Sequence, residues 1–164
     1  MSGMFSDELL ALAGQVLKAA RERGVRIATA ESCTGGLVAG VLTEIAGSSD
    51  VVDCGYVTYA NAAKHRMLGV SEDLLAEHGA VSGPVAEAMA IGALESVDLS
   101  VAITGIAGPG GGSDEKPVGL VYFATAARNG LVRAEVARFG DLGRAEVRRH
   151  AVKTALSLLL ERLG

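Results

Sequence analysis

Apolar positions fall into short blocks whose spacing changes along the chain. Ser6, Asp7 and Glu8 read as a helix start, a capping serine with acids at the positive end of the dipole. Leu9, Leu10, Leu12, Ala13, Val16, Leu17 and Ala20 then form a helical stripe that Gly24 stops. Residues 25–30, VRIATA, predict a short buried strand. A second helix opens at Gly35 and Gly36, carries Leu37, Val38, Val41, Leu42 and Ile45, and stops at Gly47. Residues 51–59 predict a second strand, and Asn61 to Leu68 a short helix closed by Gly69. Helical spacing returns over about 72–77 and about 83–96, the latter with Pro84 in its first turn.

LSVAIT, 99–104, is a continuous apolar strand, and the loop GIAGPGGGSDEKP, 105–117, breaks regular structure. Val118 to Ala127 and Leu131 to Phe139 flank Arg128-Asn129-Gly130, a turn signal for an antiparallel hairpin. A last amphipathic helix is expected from about Arg144 to Leu163. Strands alternating with helices and then a hairpin predict an α/β fold. The expected form is a three-layer α/β/α sandwich around a mixed, mainly parallel sheet with a C-terminal hairpin. No linker, repeat or low-complexity tract divides residues 1–164, so one domain is expected.

Composition sharpens this picture. Hydrophobic residues make up 49% of the chain but aromatics only 4%, so the core must be built from Ala, Val, Leu and Ile. The 22 glycines gather in loops without a period, which favours close backbone approach to a ligand over a fibrous chain. A net charge of −4 argues against a nucleic-acid surface. Seven of the eleven arginines nevertheless lie from Arg128 onward, where a phosphate contact competes with a plain solvated helix face. Cys33 and Cys54 form neither a disulfide framework nor a metal-ligand spacing. With no signal peptide and no apolar run of membrane-spanning length, a cytoplasmic protein is expected, with no membrane partner, metal or cofactor.

The junction TAESCTGG, Thr29 to Gly36, carries the candidate chemistry. Ser32 sits where a strand ends and a helix begins, beside backbone N–H groups without intrahelical acceptors. Acyl transfer needs such a pairing of nucleophile and donors, because its tetrahedral intermediate carries an oxyanion. Local sequence equally allows Ser32 and Thr34 to be helix caps. Cys33 is a rival nucleophile, although a small cysteine there also suits buried packing.

A serine needs a base. His78 and His150 read as solvated, and His65 adjoins Lys64 in VTYANAAKH, Val57 to His65. A lysine serves as base once desolvation lowers its pKa, and a tyrosine such as Tyr59 can relay or orient the proton. Lys64 as an ordinary surface lysine stays open from the sequence. Ser113-Asp114-Glu115-Lys116 imitates a serine acyl-enzyme motif, but it lies in a loop ending at Pro117. The glycine loop is not a P-loop, since no Gly-Lys-Ser/Thr closes it. Its position after Thr104 still puts it at a ligand edge of an α/β sheet.

Taken together, four segments resemble the CinA C-terminal domain family over about residues 5–163. They are TAESCTGG; Gly47 to Val70; HGAVS, His78 to Ser82; and Ile103 to Tyr122. The chain departs from the family pattern at Ala60-Asn61, where Ser-Asn is common, and at FGDLGR, where Gly-Asp-Arg is frequent. The resemblance implies hydrolysis of nicotinamide mononucleotide to nicotinic acid mononucleotide and ammonia, without a metal. It implies Ser32 as nucleophile with Lys64 and Tyr59 as activating partners. Cys33, Thr34, Gly35, Asn61, Thr104 and Gly105 would bind the nucleotide, and Arg144 would contact its phosphate. A nucleotide-binding or regulatory domain without turnover is the competing reading. A homo-oligomer, guessed as a dimer, is suggested by the apolar last helix and by analogy.

Overall fold

A computed structural model of the chain describes residues 3–164. Helix α1 spans Asp7–Arg23, with Ser6 Oγ accepting from Leu9 N at 3.3 Å and Gly24 closing it in the left-handed region. Strand β1, Ile27–Glu31, is buried throughout and leads through a turn into helix α2, Leu37–Glu44. A short 3-10 turn at Ser48–Asp50 precedes strand β2, Val52–Val57. Helices α3, Asn61–Leu68, α4, Glu72–His78, and α5, Gly83–Gly92, follow in succession. Strand β3, Leu99–Gly105, the hairpin of β4, Leu120–Ala127, with β5, Val132–Arg138, and helix α6, Arg144–Leu163, complete the chain.

The sheet order is β2-β1-β3-β4-β5. β1 pairs in parallel with β2 and β3, whereas β4 is antiparallel to both its neighbours. Pairings therefore divide evenly, although every strand but β4 points the same way. Helices α1, α2 and α6 cover one face around Val16, Leu17, Val101, Phe123 and Leu156. Helices α3, α4 and α5 cover the other around Ala28, Val85, Met89 and Ala124. This is the expected three-layer α/β/α sandwich.

Several boundaries differ from the periodicity. β1 begins at Ile27 rather than Val25, because Val25 N closes back onto Ala20 O at the end of α1. α2 begins at Leu37, with Gly35 and Gly36 in left-handed turns. β2 ends at Val57, so Tyr59 stands beyond the sheet. α5 ends at Gly92, five residues after Glu87, and not at residue 96.

The apolar stripe of α6, from Val147 through Ala151, Ala155 and Leu159 to Leu163, is buried within this chain against α1 and the sheet. Among the described residues, no helix is long and apolar enough to cross a membrane.

Candidate active site

The order β2-β1-β3 makes the carboxyl ends of β1 and β3 the place where successive connections leave the sheet in opposite directions, a ligand-binding position in α/β folds. Ser32 follows β1 there, and its N–H bonds Ile103 O of β3 at 2.9 Å. Thr104 and Gly105 end the neighbouring strand. A cleft of about 200 Å³ opens at this edge between Ser32, Cys33, Tyr59, Lys64, Thr104 and Arg144. Wider hollows of about 490 and 590 Å³ elsewhere hold no such nucleophile and amine.

Helix α3 delivers the amine. Asn61 is its first residue, so Lys64 lies one turn in and points at the sheet edge, with no solvent exposure. Gly92 in α5 permits this placement. A Cβ there would collide with the Leu68 carbonyl, so glycine lets α3 lie close against α5. Lys64 Nζ lies 2.9 Å from Ser32 Oγ and donates to the carbonyls of Thr58 at 2.7 Å and Tyr59 at 3.3 Å. Desolvation brings the Lys64 ammonium down to about 8. The surface-lysine alternative is thereby excluded.

Tyr59 meets the site in two ways. Its carbonyl contacts Lys64, while its exposed phenol accepts from Arg144 Nη2 at 3.0 Å. Arg144, at the start of α6, also donates to Gly108 O at 2.8 Å and so ties the glycine loop to the cleft rim. Thr104 donates its hydroxyl to Ala80 O at 2.9 Å. Among the described residues, no histidine lines the cleft. His65 binds Val70 O through Nδ1, and His150 stacks on Phe139.

Other expected residues are placed differently. Thr34 is wholly buried and donates to Glu31 Oε1 at 2.6 Å instead of capping α2. Asn61 is exposed at the start of α3, and neither it, Thr34 nor Gly35 lines the cleft. Cys33 does line it, but burial pushes its thiol up to about 11, which disfavours the thiolate a rival nucleophile needs. Ser113 Oγ accepts from Lys116 N within a loop turn, so the imitation motif has no helical face.

The model of the CinA C-terminal domain matches residues 9–163. The chain belongs to the CinA C-terminal domain family. An Escherichia coli (strain K12) protein named nicotinamide-nucleotide amidohydrolase PncC is 54% identical over 160 residues, 95% of each chain. A CinA-like protein of Anaeromyxobacter dehalogenans (strain 2CP-C) is 55% identical over 139 residues, 84% of this chain and 34% of that one. Among solved structures, competence/damage inducible protein CihA from Agrobacterium tumefaciens superposes with a TM-score of 0.95 at 53% identity, covering 98% of each chain. A CinA superfamily protein from Klebsiella pneumoniae gives 0.89 at 38%, covering 94% of this chain and 97% of that one.

Two residues of this CinA domain escaped the sequence reading. Glu31, fully buried, caps α2 in place of Ser32 or Thr34: its carboxylate accepts from Val38 N at 2.9 Å and Ala39 N at 3.1 Å. It also accepts from Thr29 Oγ1 at 3.3 Å and Thr34 Oγ1. The N–H groups at the start of α2 are therefore already used. Those of Cys33 and Thr34 have no backbone acceptor among the described residues. Arg148, the second, donates from Nε to Cys33 O at 3.1 Å and from Nη2 to Thr34 O at 3.4 Å. Its signal was its position four residues after Arg144, on the same helix face.

Proposed function

We propose that this chain hydrolyses the carboxamide of nicotinamide mononucleotide to nicotinic acid mononucleotide and ammonia, with Ser32 as nucleophile and Lys64 as base. The observation that carries this reading is the buried lysine amine at 2.9 Å from the serine oxygen. The substrate class rests on the 54%-identical E. coli relative, named a nicotinamide-nucleotide amidohydrolase.

Neutral Lys64 takes the Ser32 proton as Oγ attacks the amide carbon. With its ammonium near 8, roughly a tenth of the lysine is neutral at pH 7. The N–H of Cys33, at the cleft, is the candidate oxyanion donor. Lys64 returns its proton to the departing nitrogen, which leaves as ammonia with the acyl group on Ser32. Lys64 then deprotonates water, whose attack frees the acid and restores the serine. The fixed carbonyls of Thr58 and Tyr59 hold the amine at the reacting oxygen throughout.

Arg144 at the rim is the candidate phosphate contact, and Thr104 and Gly105 form the wall beneath it. The test is to incubate the purified chain with nicotinamide mononucleotide and measure ammonia and nicotinic acid mononucleotide. Equal yields of the two support the reading. Cleavage to free nicotinamide, or no reaction, would overturn it.

A further inference from the structure

We infer that Arg148 is a positioning residue for this hydrolysis, holding the turn after Ser32 in the shape that directs the Cys33 N–H at the oxyanion. The inference rests on the proposed acyl-transfer reading and adds a residue outside the cleft wall.

Three successive carbonyls of the turn are pinned. Ser32 O accepts from Gly35 N at 3.0 Å, Cys33 O from Arg148 Nε, and Thr34 O from both Leu37 N and Arg148 Nη2. All three peptides are trans, so each carbonyl points opposite the N–H of the residue that follows it. Arg148 Nη2 on Thr34 O keeps the Gly35 N–H directed at Ser32 O, and Ser32 O so held fixes the direction of the Cys33 N–H at the cleft. The Cys33 N–H has no acceptor in another residue among the described residues, although Cys33 is buried. Buried amides are nearly always paired, so one without an acceptor in another residue, beside a nucleophile and at the cleft, points to a missing partner.

Arg148 is committed to this task. It forms no ion pair with a carboxylate among the described residues, and its guanidinium spends two donors on backbone carbonyls. Lysine cannot reproduce this planar two-pronged grip. The turn also makes room for it. A Cβ on Gly35 would lie 3.2 Å from Arg148 Nη2, and the residue has a φ of +58°. Behind the guanidinium lies a surface hollow of about 230 Å³, lined by Phe5, Leu9, Leu37 and Val152.

The test compares wild type with Arg148→Ala and Arg148→Lys. Losing one oxyanion donor typically costs roughly 100-fold in rate. Arg148→Ala is expected to lower kcat by about that factor with KM nearly unchanged and the pH profile unmoved, because Lys64 keeps its surroundings. Non-denaturing guanidinium should restore part of the lost kcat, and Arg148→Lys should recover less than tenfold. An unchanged kcat, or a loss that guanidinium leaves untouched, overturns the inference.

Ser32 labelling by a sulfonyl fluoride, followed by intact mass, separates the two readings. Labelling that slows in Arg148→Ala supports the role of Arg148 even if nicotinamide mononucleotide is not hydrolysed. Equal labelling of both proteins contradicts it.

Discussion

Arg144 donates to the phenol oxygen of Tyr59 at 3.0 Å, joining residues 85 positions apart across the mouth of the cleft. The phenol is thus engaged at the rim, while only the Tyr59 carbonyl touches Lys64. Tyr59→Phe removes one exposed hydrogen bond of about 1 kcal/mol. A loss of roughly fivefold in kcat/KM is expected, with the pH profile unmoved. A far larger loss, or a shifted profile, would show that the phenol itself relays the proton.

The pH dependence of kcat/KM follows from Lys64. Burial favours the neutral amine and brings its pKa down to about 8, and the neutral form is the working base. Activity is expected to climb about tenfold per unit from pH 6 and to level off above about 8. Lys64→Met should abolish the climb along with nearly all activity. A flat or falling wild-type profile over that range contradicts the assignment.

Glu31 couples the nucleophile turn to helix α2. Its buried carboxylate satisfies two helix N–H groups and two threonine hydroxyls. Glu31→Ala leaves all four without their acceptor, so a loss of about 3 kcal/mol or more is expected. In a chain of this size that is a fall in Tm of roughly 6–12 °C. A thermal melt that barely moves would show that the turn does not depend on this carboxylate.

The layers were legible because the stripes Leu9 to Ala20 and Val147 to Leu163 repeat at helical spacing, and β1 and β3 are short, mostly apolar runs bounded by turn residues. Asn61 and Gly69 bracketed α3 in the sequence as they do in space. Glu31 was not legible, because an acid inside an apolar run reads as the end of a strand. Its partners become visible only when the turn folds back. Arg148 reaches Cys33 across 115 residues, a contact no local pattern encodes. The helix-cap reading of Ser32 failed for the same reason: Glu31, one residue earlier, took that role.

Cys33 offers a control beside the nucleophile. Its thiol is held up to about 11 by burial, so thiolate is scarce at neutral pH. Cys33→Ala is expected to retain kcat within about threefold, since its backbone N–H is untouched. Loss of nearly all turnover would transfer the nucleophile role to the thiol.

The most direct measurement is ammonia release from nicotinamide mononucleotide by Ser32→Ala beside wild type. Removal of the oxygen that lies 2.9 Å from Lys64 Nζ should lower turnover by at least about a thousandfold, with the fold intact by circular dichroism. Ser32→Ala releasing ammonia at the wild-type rate would contradict the account.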